Sequence, residues 1–198
     1  MKHSANIKEL LQLQVDYVGF IFYKPSPRYL GETITDIPFP ETIRKVGVFV
    51  DETISEIYLR IGQCRLDVVQ LHGKEPPEVC RQLKETGVEV IKSFNIGNEA
   101  DMDAVARYTD VCDYFLFDAA TPQYGGSGQK IDWKILSSYA AATPFFLSGG
   151  IAPEDAERVR SLHHQSLYAI DLNSRFEISP GIKDIPKLKN FIRLIISK

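Results

Sequence analysis

The sequence predicts an α/β fold, one domain over residues 1–198, with parallel strands covered by helices. Three observations predict it. Seven apolar runs of strand length recur along the chain. Most are continuously apolar and not alternating, as strands buried on both faces are. Helical patterns fill the intervals with no linker between halves, so the weak repeat is the βα unit itself.

The elements follow in order. Residues 7–14 read as a helix ahead of the first strand, at 16–23. The later strands are expected at 45–50, 67–72, 88–94, 113–118, 144–150 and 167–172. Between them, residues 52–63 place Ile54, Ile57, Tyr58 and Ile61 on one helical face. Residues 76–86 open on two prolines and close at Gly87, the usual asymmetry of helix ends. Helices at 98–108, 132–141, 153–162 and 185–196 complete the set. Seven strands fit either an open doubly wound sheet or a barrel short of one strand. No G-x-G-x-x-G follows a strand, which weakens a dinucleotide-binding version of the open sheet.

Composition bounds the function. The chain is 44% hydrophobic and 25% charged, with net charge −3. It carries no Lys/Arg run interleaved with aromatics, so no nucleic-acid partner is expected. Its start has no apolar signal core and no apolar run reaches membrane-spanning length. The three cysteines, Cys64, Cys80 and Cys112, form no C-x-x-C pair, so a reduced cytoplasmic chain is the simplest reading.

The strand ends are unusually polar or glycine-rich. They present Arg28 within YKPSPRY, His72 within QLHG, Asp118, the glycines of SGG at 148–150, and Asp171, Asn173, Ser174 and Arg175. Each has a bland alternative: a satisfied strand-end histidine, a turn-capping aspartate, a solvated loop cation, a tight glycine turn. Five such clusters at strand ends are harder to dismiss, because barrels of this class keep their active sites there. Gly149 and Gly150 precede Pro153 at a helix start, where backbone N–H groups and the helix amino terminus favour an anion. A phosphorylated substrate follows as an expectation. The glycine cluster YGGSG at 124–128, with Gly126 and Ser127, reads either as a connector or, more favourably, as a flap closing over substrate.

At these residues the chain resembles the phosphoribosylanthranilate isomerase family. The matching stretches are VGFIFYKPSPRY at 18–29, VGVFVDE at 46–52, VQLHGKE at 69–75, FDAATPQYGGSG at 117–128, FLSGGIAPE at 146–154 and AIDLNSRFE at 169–177, with Pro180 and Gly181. They run in family order along nearly the whole chain. The resemblance implies a (β/α)8 TIM barrel from which this chain lacks the first strand. It also implies the Amadori rearrangement of N-(5-phosphoribosyl)anthranilate in tryptophan biosynthesis, with no metal or organic cofactor. By it, Asp118 is the general acid and Arg28 holds the anthranilate carboxylate or ring. His72 lines the pocket, with Gly126 and Ser127 on the flap. Gly149, Gly150, Asn173, Ser174 and Arg175 surround the phosphate, and Asp171 ends the last strand. A monomer or homodimer is expected.

Two departures stand out. The family usually carries a small residue where Arg175 stands. It also begins with a strand ending in Lys-(Ile/Val)-Cys-Gly-Met, whose cysteine is the general base; residues 1–7 align with the stretch after Cys-Gly. The expectation is a chain nearly inactive as it stands, with Met1 an internal residue of the natural protein. Two other readings compete. A different phosphosugar barrel would want a metal or a strand-end lysine, and its one candidate is Lys92. A non-catalytic barrel would bind a pathway partner.

Overall fold

The computed structural model describes residues 1–31, 37–119 and 133–196. Among these, seven strands form one all-parallel sheet: β1 Tyr17–Ile21, β2 Arg44–Phe49, β3 Val68–Leu71, β4 Glu89–Ile96, β5 Tyr114–Ala119, β6 Phe145–Leu147 and β7 Leu167–Ile170. Spatial order equals chain order. A doubly wound sheet would reverse direction at a switch point, so the doubly wound alternative is excluded and the seven strands follow one another around a curled sheet. The sheet curls far enough that its ends meet at one rim. The Tyr17 hydroxyl of β1 lies 3.2 Å from that of Tyr168 on β7, and the Tyr17 ring centroid 5.2 Å from that of Phe146 on β6. Yet β1 and β7 do not pair: each has a strand neighbour on one side only among the described residues.

Side-chain alternation along each strand divides two cores. On the outer face Phe20, Phe49, Phe115, Phe117 and Phe145 are fully buried under the helices, each contributing about 1.5–3 kcal/mol of burial free energy. The helices α1 Ser4–Leu10, α2 Ile54–Cys64, α3 Pro77–Lys84 and α6 Ile185–Ile196 press Ile7, Ile57, Leu83 and Phe191 onto that face. On the inner face Val46, Val68, Ile91, Leu116 and Phe146 form a second, smaller apolar cluster, with Tyr17, Val48, Tyr114 and Ala169 packed against it.

The helix ends follow local chemistry. Thr53 caps α2 by accepting the Glu56 N–H at 3.3 Å. The turn after α3 closes with Gly87 at φ 86°. Elsewhere the expected helices are eroded. Residues 98–108 give two single 3-10 turns flanking a four-residue α4, Met102–Val105, whose only buried residue is Val105. So little apolar contact cannot sustain a longer helix. The described part of 132–141 is a 3-10 helix, Trp133–Ser138, in which the Ser137 and Ser138 hydroxyls bond back to Lys134 O and Ile135 O. Residues 153–162 begin as a 3-10 turn before α5, Ala156–Arg160. The strand expected at 144–150 stops at Leu147, because Gly149 and Gly150 take φ of 91° and 68° and leave the β region. An antiparallel hairpin absent from the sequence reading follows β7: β8 Glu177–Ser179 and β9 Ile182–Lys183, turning at Pro180-Gly181.

Candidate active site

The inner face changes character along the strands. Its lower half, toward the strand starts, is the apolar cluster just described. In its upper half the same alternation presents Gln70 and His72 from β3 and its end, Ser93 and Asn95 from β4, and Asp118 from β5; Ser148 and Asp171 follow β6 and β7. An apolar floor under a polar mouth at the carboxyl ends of parallel strands is the place where folds of this kind set chemistry on a polar ligand.

Asp118 sits near the end of β5, opposite Asn95. Its Oδ2 lies 3.7 Å from His72 Nε2. That contact is not an ion pair. Burial and the Lys92 charge lower the His72 pKa to about 4, so the imidazole is neutral at pH 7. The Gln70 amide nitrogen lies 3.0 Å from His72 Nδ1 and 3.1 Å from Ser93 Oγ, while His72 Nε2 is buried without a hydrogen-bond partner among the described residues. A donor at Nδ1 leaves the proton on Nε2, on the Asp118 side.

The buried histidine has a consequence for stability. Between about pH 4 and 6.5 the unfolded chain binds a proton at His72 that the folded chain refuses, so stability rises with pH across that window. Urea unfolding should show a loss of up to about 3 kcal/mol on going from pH 7 to pH 4 through this group. The His72→Gln variant should lose that part of the slope; an unchanged slope would mean that His72 protonates freely in the folded state.

Lys92 needs a different role from the one a lyase would give it. It lies on the outer face of β4, buried, donating to the carbonyls of Leu71, Gly73 and Ser93 at 3.2, 2.8 and 3.1 Å and pairing with Glu75 at 3.2 Å. Glu75 in turn accepts the Asp51 and Gly73 N–H groups. The pair therefore braces the turns after β2 and β3 from behind, and a side chain on that face does not enter the cleft. Gly73 is required there, because an added Cβ would lie 2.6 Å from the Asp51 nitrogen.

The loops after β6 and β7 stand side by side. Ser148 Oγ donates to Asp171 Oδ2 at 2.9 Å. Among the described residues the Gly149 and Gly150 amides donate to no backbone carbonyl. The Ala152 N–H is already taken by Asp155 Oδ2 at 2.9 Å, so the first amide of the following turn is not available to a ligand. Ser174 and Arg175 lie on the 3-10 turn Ser174–Phe176. Asn173 spends its side-chain oxygen on Lys183 Nζ, 2.8 Å away. Arg28 follows β1 and is paired with Glu177 through three contacts of 2.7–3.1 Å.

Arg28, His72, Asp118, Gly149, Gly150, Asp171, Asn173, Ser174 and Arg175 thus all fall on the carboxyl side of the sheet. Gly126 and Ser127, with the expected flap at 124–128, lie outside the described residues. The sequence reading does not single out Gln70, Ser93, Glu177 or Lys183. For the first two a signal existed, a polar residue inside an otherwise apolar strand. For Glu177 and Lys183 there was none, because their partners are distant in sequence. Cys64 ends α2, Cys80 lies in α3 and Cys112 precedes β5; all three are buried and none reaches the strand ends that form the mouth. Among the described residues no group of three or more His, Cys, Asp or Glu is placed to hold a metal ion, and no helix is long and apolar enough to cross a membrane.

Known proteins match this geometry. The chain is 44% identical to an N-(5'-phosphoribosyl)anthranilate isomerase of Parabacteroides distasonis, over 99% of this chain and 90% of the relative. It is 41% identical to that of Phocaeicola vulgatus, over 100% and 96%. The crystal structure of phosphoribosyl anthranilate isomerase from Thermotoga maritima superposes with a TM-score of 0.84 at 34% identity, covering 98% of this chain and 95% of that one. A phosphoribosyl anthranilate isomerase in complex with reduced 1-(o-carboxyphenylamino)-1-deoxyribulose 5-phosphate superposes at 0.81 with 29% identity, covering 98% and 94%. The sequence profile of N-(5'phosphoribosyl)anthranilate (PRA) isomerase matches residues 1–194. The chain belongs to the phosphoribosylanthranilate isomerase family.

Proposed function

We propose that this barrel acts on N-(5'-phosphoribosyl)anthranilate in tryptophan biosynthesis, converting it to 1-(2-carboxyphenylamino)-1-deoxyribulose 5-phosphate. The observation that carries this reading is the placement of Asp118 and neutral His72 together in a polar mouth above an apolar floor, with the Gly149-Gly150 turn on the same rim. Asp118 protonates the ribose ring oxygen, the ring opens to a Schiff base, and a base removes the C2 proton to give an enol that becomes the ketone. His72 adds no charge beside Asp118 and offers an N–H. The Gly149 and Gly150 amides, with Ser174 and Arg175, take the phosphate, and Arg28 takes the anthranilate carboxylate. Asp171, tied to Ser148, shapes the turn below the phosphate. Gly126 and Ser127 belong to this reading as flap residues.

The base in this reading is a cysteine on a strand seated in the seam between β7 and β1. The lack of a second strand neighbour for β1 and β7 among the described residues supports it, as does the placement of the three cysteines away from the mouth.

Calorimetry with reduced 1-(o-carboxyphenylamino)-1-deoxyribulose 5-phosphate tests the reading without requiring the base. Binding is expected at micromolar Kd or better, roughly −8 kcal/mol. Arg175→Ala should weaken it about tenfold if the guanidinium meets the phosphate. Unchanged binding in that variant would leave Arg175 a role in loop shape only, and no binding by the parent chain at millimolar ligand would sink the reading.

A further inference from the structure

The β8–β9 hairpin spans the seam that no strand pair closes. On the β1 side Lys2 N–H donates to Gly181 O at 3.2 Å, and Asn6 exchanges two hydrogen bonds with the Lys183 backbone, at 2.9 and 2.7 Å. On the β7 side Lys183 Nζ donates to Leu172 O at 3.1 Å and Asn173 Oδ1 at 2.8 Å. These bonds hold the hairpin in place without Arg28.

Arg28 and Glu177 are nonetheless locked together. Arg28 Nε lies 3.1 and 2.8 Å from the two Glu177 oxygens, and Nη2 lies 2.7 Å from Oε2. The side chains are only 13% and 4% exposed. Glu177 also accepts the Gly181 N–H at 3.2 Å and faces Lys183 Nζ at 3.5 Å. Burial would raise its pKa, but the Arg28 hydrogen bonds and the Lys183 charge outweigh that and leave it ionised below the usual range. The pair uses one edge of the guanidinium. Nη1 and the outer N–H of Nη2 form the other edge, a planar fork of the kind that meets a carboxylate bidentately. Nη1 donates to nothing among the described residues. With two cations against one carboxylate, and the next carboxylate, Asp171, engaged with Ser148, the cluster favours an anion.

We propose that Glu177 is a positioning residue for recognition of the substrate's aryl carboxylate: it grips Arg28 by the Nε–Nη2 edge and presents the opposite edge to the ligand. This rests on the reading of Arg28 given above. An arginine free to sample its rotamers would lose that freedom on binding; one already fixed binds without that loss.

The test compares two ligands by calorimetry, reduced 1-(o-carboxyphenylamino)-1-deoxyribulose 5-phosphate and its phenylamino counterpart lacking the carboxylate. The parent chain should prefer the first. Glu177→Ala should weaken the carboxylated ligand about tenfold and the other less than threefold, and Glu177→Gln should fall between, since its amide oxygen still accepts one guanidinium bond. Equal loss on both ligands, or no loss, overturns the proposal. If Glu177→Ala does not fold, the Gln variant decides by the same criterion. Arg28→Ala separates the layers: selective loss there without selective loss in the Glu177 variants overturns the positioning role alone. Equal loss on both ligands in Arg28→Ala overturns the carboxylate reading and this proposal with it.

Discussion

In the proposed reaction Asp118→Asn is expected to remove about a thousandfold or more of the turnover, while the chain stays folded. General acid catalysis by a positioned carboxyl is worth about 10²–10⁴ in rate, or roughly 3–5 kcal/mol of barrier. An amide has nearly the same shape but no acidic proton to place on the ribose ring oxygen. The structural cost should be small, since the Asp118 side chain lies at the mouth, 16% exposed, above and not within the apolar floor. Turnover of the anthranilate substrate is one readout, and thermal unfolding with ligand calorimetry is the other. Turnover near normal would exclude Asp118 as the acid. Ligand affinity lost together with turnover would make Asp118 a binding group instead.

The order of the sheet was legible because strands buried on both faces cannot hide: stretches such as 46–50 and 114–117 carry no polar side chain except the Tyr114 hydroxyl. That same continuity concealed which residue faces which way. Lys92 and Ser93 are neighbours in one run, yet Lys92 braces turns from behind and Ser93 lines the cleft. Only the sheet's curl assigns the faces. Strand ends were legible as a polar rim because polar residues there break the apolar pattern, and His72, Asp118 and Asp171 do lie on one rim. The hairpin at 177–183 was illegible for the opposite reason. Its strands are three and two residues long, too short for periodicity to register, and Glu177 finds Arg28 across 149 positions of sequence. Helix 98–108 was overread because its apolar spacing is sound while its burial is not; propensity without a core to face yields turns.

The other large effect is expected from placing an apolar strand ending in Cys-Gly directly ahead of Met1. The seam offers it two edges, on β1 and β7, that pair with no second strand among the described residues. The geometry at residue 1 favours it as well. The Met1 nitrogen lies 3.1 Å from Gly19 O on the free edge of β1. Burial first, then the nearby Lys183 charge, lower that amine's pKa to about 5; Glu177 opposes them, and Arg28 and Lys2 add to the lowering. As an ammonium it is therefore disfavoured where it sits; as a peptide N–H it would make the same bond with no charge to bury. The extended chain should melt roughly 5–10 °C higher, the shift that a few kcal/mol produces in a domain of this size. Its turnover should exceed that of the 198-residue form by about a thousandfold, because the added thiolate supplies the base that takes the C2 proton. Replacing the added cysteine by serine separates the two gains: the melting shift should remain and the turnover should vanish. Equal turnover with and without the strand would show that the base lies within these 198 residues, and a melting temperature left unchanged would mean that the seam does not receive a strand.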